Sequence, residues 1–300
     1  MDEDSNAMAT FQAGYVTFCQ GIQDSISLHR ILLLYIQSHI VRNRTVKCVV
    51  VNGIIFLGSI FFFDYIVIPI IHLLGLALKT QEAPSSQDGF RDTIDTVVFF
   101  IYQGLWMYPI YMVSFILNTI WYQELADEAY LQTHGTARPA PVKDMIIDEV
   151  YRAILVYCFL LQTMLAYLLP VVGPLVSFVH LSWLYALYCF EYKWSLHGWS
   201  IEKRLAFMEK HWAYFAGFGC PFTLATYFVP NFVSKGIFAL LFPLFLLLAT
   251  VCDPSAERET TKLPLFGPSR WLTLQLVRRL SSFTGIKQRA QPPSTQRKTN

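Results

Sequence analysis

Charge is scarce in this sequence: Asp, Glu, Lys and Arg make up 15% of its 300 residues, where a soluble domain carries roughly 25%. The scarcity is uneven, because six stretches, 48–63, 65–78, 96–123, 153–190, 212–234 and 236–252, contain none of these residues. Those stretches hold 136 residues, so all 44 charges fall on the other 164, a density of about 27% that is ordinary for soluble protein. A plain soluble enzyme is excluded by that division. The chain is built from two materials.

Other absences narrow the class. The apolar runs do not alternate every second residue, which removes a membrane β-barrel and leaves helices to satisfy the backbone in lipid. The N-terminus, Met1-Asp2-Glu3-Asp4, has neither the positive region nor the apolar run of a signal peptide, so the first apolar segment is expected to direct its own insertion. Six cysteines are scattered without C-x-x-C spacing and read as small buried hydrophobes. No P-loop, G-x-G-x-x-G, H-E-x-x-H, G-x-S-x-G or paired-histidine metal spacing occurs. The expectation is a protein that is not an enzyme, with no cofactor, no metal and no nucleic-acid partner.

What remains is apolar length. A hydrocarbon core about 30 Å thick takes roughly 20 helical residues. The runs are read as six crossings, near 48–70, 96–123, 153–169, 174–190, 212–234 and 236–252, in an all-α multi-pass membrane protein. The 38 uncharged residues 153–190 fold back near Pro170, Gly173 and Pro174, and Pro69 or Gly75 is expected to end or bend the first helix. Residues 1–47 form an N-terminal segment, 48–252 the membrane domain and 253–300 a basic, mostly disordered tail. Connecting segments on the side of the termini carry 20 Lys and Arg, and the opposite segments 3. Both termini are therefore expected in the cytoplasm. Two full crossings and a partly penetrating hairpin predict the same bias, for 153–190 and for 212–252 alike. The sequon Asn43-Arg44-Thr45 falls on the cytoplasmic side. It is expected to stay unglycosylated, and a glycosidase-sensitive mass shift that vanishes in Asn43→Gln would reverse the orientation.

Amphipathic pieces occupy the polar segments. Phe11, Tyr15, Phe18, Ile22, Ile26 and Leu33 recur at helical spacing, predicting a helix in the membrane interface or packed on the bundle. Ser200 is a suitable N-cap for a helix with the stripe Ile201, Leu205, Met208 and Trp212. Residues 269–283 suit a basic interfacial helix carrying Trp271, Leu274, Val277 and Leu280, with Arg278 and Arg279 toward headgroups. Trp271-Leu272-Thr273-Leu274 also fits the loose W-x-x-L pattern of autophagy-adaptor ligands, a weaker reading than the helix. Arg297 and Lys298, fourth and third from the end, match a dibasic retrieval signal for the endoplasmic reticulum.

Ionisable residues in or beside the runs are the candidate functional positions, because burying them in lipid is costly. Asp64 interrupts the first run, His180 lies within the fourth, and Glu191 and Lys193 follow it, beside Trp194. Structural satisfaction explains them more economically than an ion path. The mid-run prolines Pro109, Pro221 and Pro243 permit helices broken around a cavity, as in transporters.

The stretch from Val179 to Trp194, V-H-L-S-W-L-Y-A-L-Y-C-F-E-Y-K-W, resembles the signature of the etoposide-induced protein 2.4 family. Gly21-Ile22-Gln23-Asp24-Ser25-Ile26, Asn118 with Ile120-Trp121-Tyr122-Gln123-Glu124-Leu125-Ala126-Asp127, Tyr214 with Gly217-Phe218-Gly219 and Pro221, and Leu241-Phe242-Pro243-Leu244-Phe245 follow the family's order. The resemblance spans roughly 11–252. It implies a multi-pass endoplasmic reticulum protein required for autophagy, acting as autophagosomes form or mature toward degradative autolysosomes, with links to growth suppression and apoptosis in animals. A distant relation to bacterial sulfate permeases is also implied, and with it partly penetrating helix pairs. The short linker Arg42-Asn43-Arg44 departs from the longer Arg-rich segment of vertebrate members, and the tail departs as well. Partners are expected to be the lipid bilayer and other membrane or autophagy proteins, and a homo-oligomer is compatible with all of this. The alternative function is an anion transporter or channel of sulfate-like specificity.

Overall fold

Uncharged runs that lack the alternation of strands can hide their backbone only by winding into helices. The computed structural model describes residues 2–71, 73, 96–98, 100–136, 142–229, 231–254 and 262–284. Among the described residues every regular element is a helix. In chain order they are α1 (Asp2–Ile26), α2 (His29–Gln37), α3 (His39–Ile71), α4 (Thr96–His134), α5 (Val142–Tyr167), α6 (Gly173–Leu196), α7 (Ile201–Lys210), α8 (Trp212–Tyr227), α9 (Asn231–Val251) and α10 (Gly267–Thr284). Helices α3, α4, α6 and α9 contain stretches long and apolar enough to cross a membrane. The apolar part of α5, Tyr151–Tyr167, is shorter. The protein is a multi-pass helical membrane protein. One end of the bundle, the base, holds the α6–α7 connection and the close of α4 and α9, where the His134 and His197 rings lie 5.2 Å apart. At the other end, the tip, the Tyr227 hydroxyl donates to the Pro174 carbonyl, joining the end of α8 to the start of α6.

Helix α8 departs from the expected crossings. The sequence suggests a span over 212–234 with a turn at Lys235, yet α8 stops at Tyr227 and Lys235 lies one turn inside α9. At 16 residues, α8 is about 24 Å long, short of the hydrocarbon thickness. It is the interior element of the bundle, with residues 213–219 all buried. Phe190, Phe215, Phe218, Phe222 and Phe245 stack around it in edge-to-face and offset pairs 4.6–5.9 Å apart.

Helix α1 packs along α8, one of the two placements expected for it. Of the apolar stripe, Phe18 packs on the core, whereas Tyr15, Ile26 and Leu33 point outward. Thr17, Gly21 and Ser25, spaced four apart, form the buried face. Their hydroxyls donate to Ala13 and Ile22 carbonyls of the same helix, so the small face carries no unmet polar group. A methyl built on Gly21 would overlap the Tyr214 carbonyl, and one on Gly217 the Phe18 carbonyl. Close backbone approach through small residues is how helices associate where lipid removes the hydrophobic incentive. The Tyr214 hydroxyl completes the junction by donating to Asp24, 2.8 Å away.

None of the mid-run prolines breaks its helix, and Pro69 does not end α3, which runs on to Ile71. In α3 the segment Phe63–Val67 is wound as π-helix, and in α4 so is Gln103–Met107. Pro69 and Pro109 each follow two residues later. The Ile68 N–H donates to Phe63 and the Tyr108 N–H to Gln103, five residues back. Proline clashes with the carbonyl four residues before it and offers no N–H. A preceding π turn moves those carbonyls into wider register, and the helix continues. Gly75 lies outside the described residues.

Two amphipathic segments form as helices. Helix α7 buries Ile201, Leu205 and Met208. Ser200 stands at its N-cap with extended backbone but makes no side-chain cap bond, and His211 separates Trp212 from this helix. Helix α10 seats Ser269 and Thr273 against α5 and leaves Trp271 and Leu274 exposed. Leu280, Arg278 and Arg279 fall where side chains are not described, and the Gly53 to Leu57 turn of α3 is itself π-wound.

Candidate functional site

Pro243 leaves the Ala239 carbonyl of α9 without its helical N–H partner. Asn52 of α3 and Tyr122 of α4 supply the missing donors, at 3.2 and 2.9 Å. Asn52 and Asn118 exchange reciprocal amide bonds of 2.9 and 2.8 Å, and Ser114 donates to the same Asn52 oxygen. Three helices are thus pinned around one buried asparagine. Asn52→Leu is expected to cost about 1–2 kcal/mol in thermal unfolding, the range for interhelical hydrogen bonds in membranes. An unchanged Tm would show that the network is dispensable.

Beside this network lies a cavity of about 480 Å³. Tyr185, Tyr188 and Tyr192 project into it from α6 at a spacing of three and four, one helical stripe. Tyr111, Tyr122 and Phe115 line it from α4, Phe56 from α3, and Phe238 and Phe242 from α9. Each end holds a cation. At the tip Lys235 stands 5.0 Å over the Tyr111 ring and 4.8 Å over the Phe232 ring. Arg152 of α5 marks the base end, 3.7 Å from Glu191.

The residues singled out in the sequence lie elsewhere. Glu191 is buried at the base, ion-paired to Arg204 of α7 as well as facing Arg152. Lys193 is also buried, its Nζ donating to the Cys252 carbonyl just beyond α9. Trp194 stacks on Trp199 with rings 8° from parallel and meets Phe207 and Phe215 edge-on. The three neighbours therefore bolt α6 to α7, α8 and the end of α9. His180 shares its Nε2 with Gln162 of α5 at 3.2 Å, while its Nδ1 meets the Val176 carbonyl at 2.8 Å. With the proton on Nδ1, Gln162 donates to His180 and accepts from Ser269 of α10 at 2.7 Å, so every partner is satisfied. Asp64 is exposed on α3, near Tyr102 and away from the cavity. Arg297 and Lys298 lie outside the described residues. No charge of the family signature lines the cavity; Arg152, which does, was not singled out in the sequence, nor were the tyrosine stripe and Asn52.

The cysteines are free, and Cys48, Cys158, Cys189 and Cys252 are buried. The Cys252 sulfur accepts a hydrogen bond from the Arg30 guanidinium at 3.6 Å. Among the described residues no three metal-ligating side chains converge.

The fold and cavity define a class: a polytopic helical protein whose interior hydrogen-bond network borders an amphipathic chamber. Residues 27–251 match the family described as "Sulfate transporter CysZ/Etoposide-induced protein 2.4", and the chain belongs to that family. It is 33% identical to "Protein EI24 homolog" of Arabidopsis thaliana over 285 residues, covering 82% of this chain and 89% of that one. Identity to the "Protein EI24 homolog" of Dictyostelium discoideum is 32% over 239 residues, 78% and 73% of the two chains. "Ectopic P granules protein 4" of Caenorhabditis elegans is 33% identical over 143 residues, 46% of this chain and 45% of that one. No solved structure matches the chain.

Proposed function

We propose that this protein is a non-enzymatic component of the endoplasmic reticulum membrane that supports autophagy, acting as autophagosomes form or mature to autolysosomes. The observation that carries the reading is family membership over 27–251, together with what the resemblance implies for that family. The charge bias of 20 to 3 supports cytoplasmic termini, and the dibasic Arg297 and Lys298 suit retrieval from that side. Within the membrane domain, the signature residues Glu191, Lys193 and Trp194 tie helices together, which fits a protein that acts through its membrane surface. Contacts with lipid and other membrane proteins would then transmit its effect. Deleting the gene is expected to make autophagic cargo accumulate, and re-expressing this chain to restore clearance. Normal cargo clearance after deletion would refute the proposal.

A second reading has its own observation. The cavity places Lys235 and Arg152 at opposite ends of one chamber, and the family description names a sulfate transporter. Under that reading, purified protein in vesicles takes up sulfate or chloride, and Lys235→Glu abolishes the flux. Absence of flux with intact rescue of clearance leaves the first reading.

A further inference from the structure

The chamber's exposed lining residues show where it opens. Phe115 and Thr119 face outward on α4, inside the span Thr96–His134, and Lys235 is exposed at the tip. The mouth is therefore lateral, toward the hydrocarbon, with one cation at its edge. Among the described residues no carboxylate lies within 4.0 Å of Lys235, whereas Arg152 at the deep end faces Glu191. Among the described residues the mouth's cation therefore faces aromatic rings and no carboxylate.

Size and lining then select the occupant. A volume of about 480 Å³ is many times what one small ion or water needs, so the chamber is sized for an extended ligand. From Tyr111 to Tyr122 the lining follows α4 for eleven residues, about 16 Å. Phe56, Tyr185, Phe238 and Phe242 wall this length with aromatic faces. A tetrahedral oxyanion would fill a small part of such a chamber. We propose that the cavity binds a single-chain anionic lipid, its carboxylate or phosphate head at Lys235 and its acyl chain along the aromatic wall toward Tyr192. The lipid enters from the bilayer past the exposed Phe115 and Thr119 of α4. This site stands whether or not the protein serves autophagy, since it is read from the chamber alone.

The full chain, purified in detergent, tests it with tritiated palmitate as the probe and palmitate, 1-palmitoyl-lysophosphatidate, hexadecanol and sodium sulfate as competitors. Either anionic lipid is expected to displace the label, and hexadecanol, which lacks the charge, to need about tenfold more, as one charge-assisted bond to the head implies. Tighter competition by palmitate than by lysophosphatidate assigns a free fatty acid as the source; the reverse order assigns a phospholipid product. Lys235→Ala should weaken palmitate about tenfold and erase its advantage over hexadecanol, while Lys235→Arg retains it. Thr119→Trp, at the exposed mouth, should cut bound palmitate several-fold without altering elution volume. Binding unchanged in both Lys235→Ala and Thr119→Trp would overturn the proposal. So would full displacement by millimolar sulfate, which would make the chamber a small-anion site.

Discussion

Gly219→Leu is expected to leave almost no monodisperse protein on detergent size exclusion. A side chain there meets the Ser182 carbonyl of α6, a backbone atom that no rotamer change can move aside. Gly217, two residues earlier, faces the Phe18 carbonyl of α1, so α8 is clamped between two helices at van der Waals distance. Overpacking a core that can adjust costs about 1–3 kcal/mol. Here the helices must separate, and the loss should exceed roughly 3 kcal/mol, a large share of total stability. Gly219→Ala should lower Tm by a smaller step in the same direction. Gly14→Ala is the matched control, because nothing lies within 4 Å of that position. It should be neutral or stabilising by up to roughly 1 kcal/mol through helix propensity. A Gly219→Leu protein that elutes and melts like the parent would refute the close crossing.

The second large effect belongs to Glu191. Its side chain is 7% exposed and pairs with Arg204, itself 12% exposed, while Arg152 approaches from α5. Glu191→Leu keeps much of the volume but strands a buried guanidinium. Breaking one side of such a pair costs about 3–5 kcal/mol. Removing both partners in Glu191→Leu/Arg204→Leu should recover much of that loss, since the desolvated charge leaves with its partner. A double variant as unstable as the sum of the singles would mean that the pair is not coupled. Arg204 also donates to the Trp199 carbonyl at 2.8 Å, so full recovery is not expected.

These two positions show which parts of the molecule are legible in sequence. Uncharged runs mark the six apolar helices because lipid forbids unpaired charge and unpaired backbone alike. The stripe Ile201, Leu205 and Met208 marks α7 for the same reason at smaller scale. The limits of α8 are not legible, since a helix buried by protein and one buried by lipid share a composition. Only neighbours decide, and here α1, α6 and α9 enclose it. The outward turn of α1 is hidden by the same ambiguity: in lipid the small residues Thr17, Gly21 and Ser25 mark the protein side, and the large apolar ones mark the outside. The chamber could have been found in part, because Tyr185, Tyr188 and Tyr192 form one helical stripe inside the most distinctive motif. Asn52 could not, since its meaning depends on a carbonyl exposed by Pro243, 191 positions away in the chain. Glu191, Lys193 and Trp194 were visible as a cluster, but their role as a fastening needed Arg204 and Cys252 in view.

The small-residue face of α1 also sets a schedule for biosynthesis. Its docking partner, Tyr214, leaves the ribosome 190 residues after Asp24. At about 5–20 residues per second, synthesis holds that interval open for roughly 10–40 s. Throughout it the first helix has been made but has nowhere to settle. Until α8 emerges, the N-terminal segment lacks the surface on which its small-residue face packs.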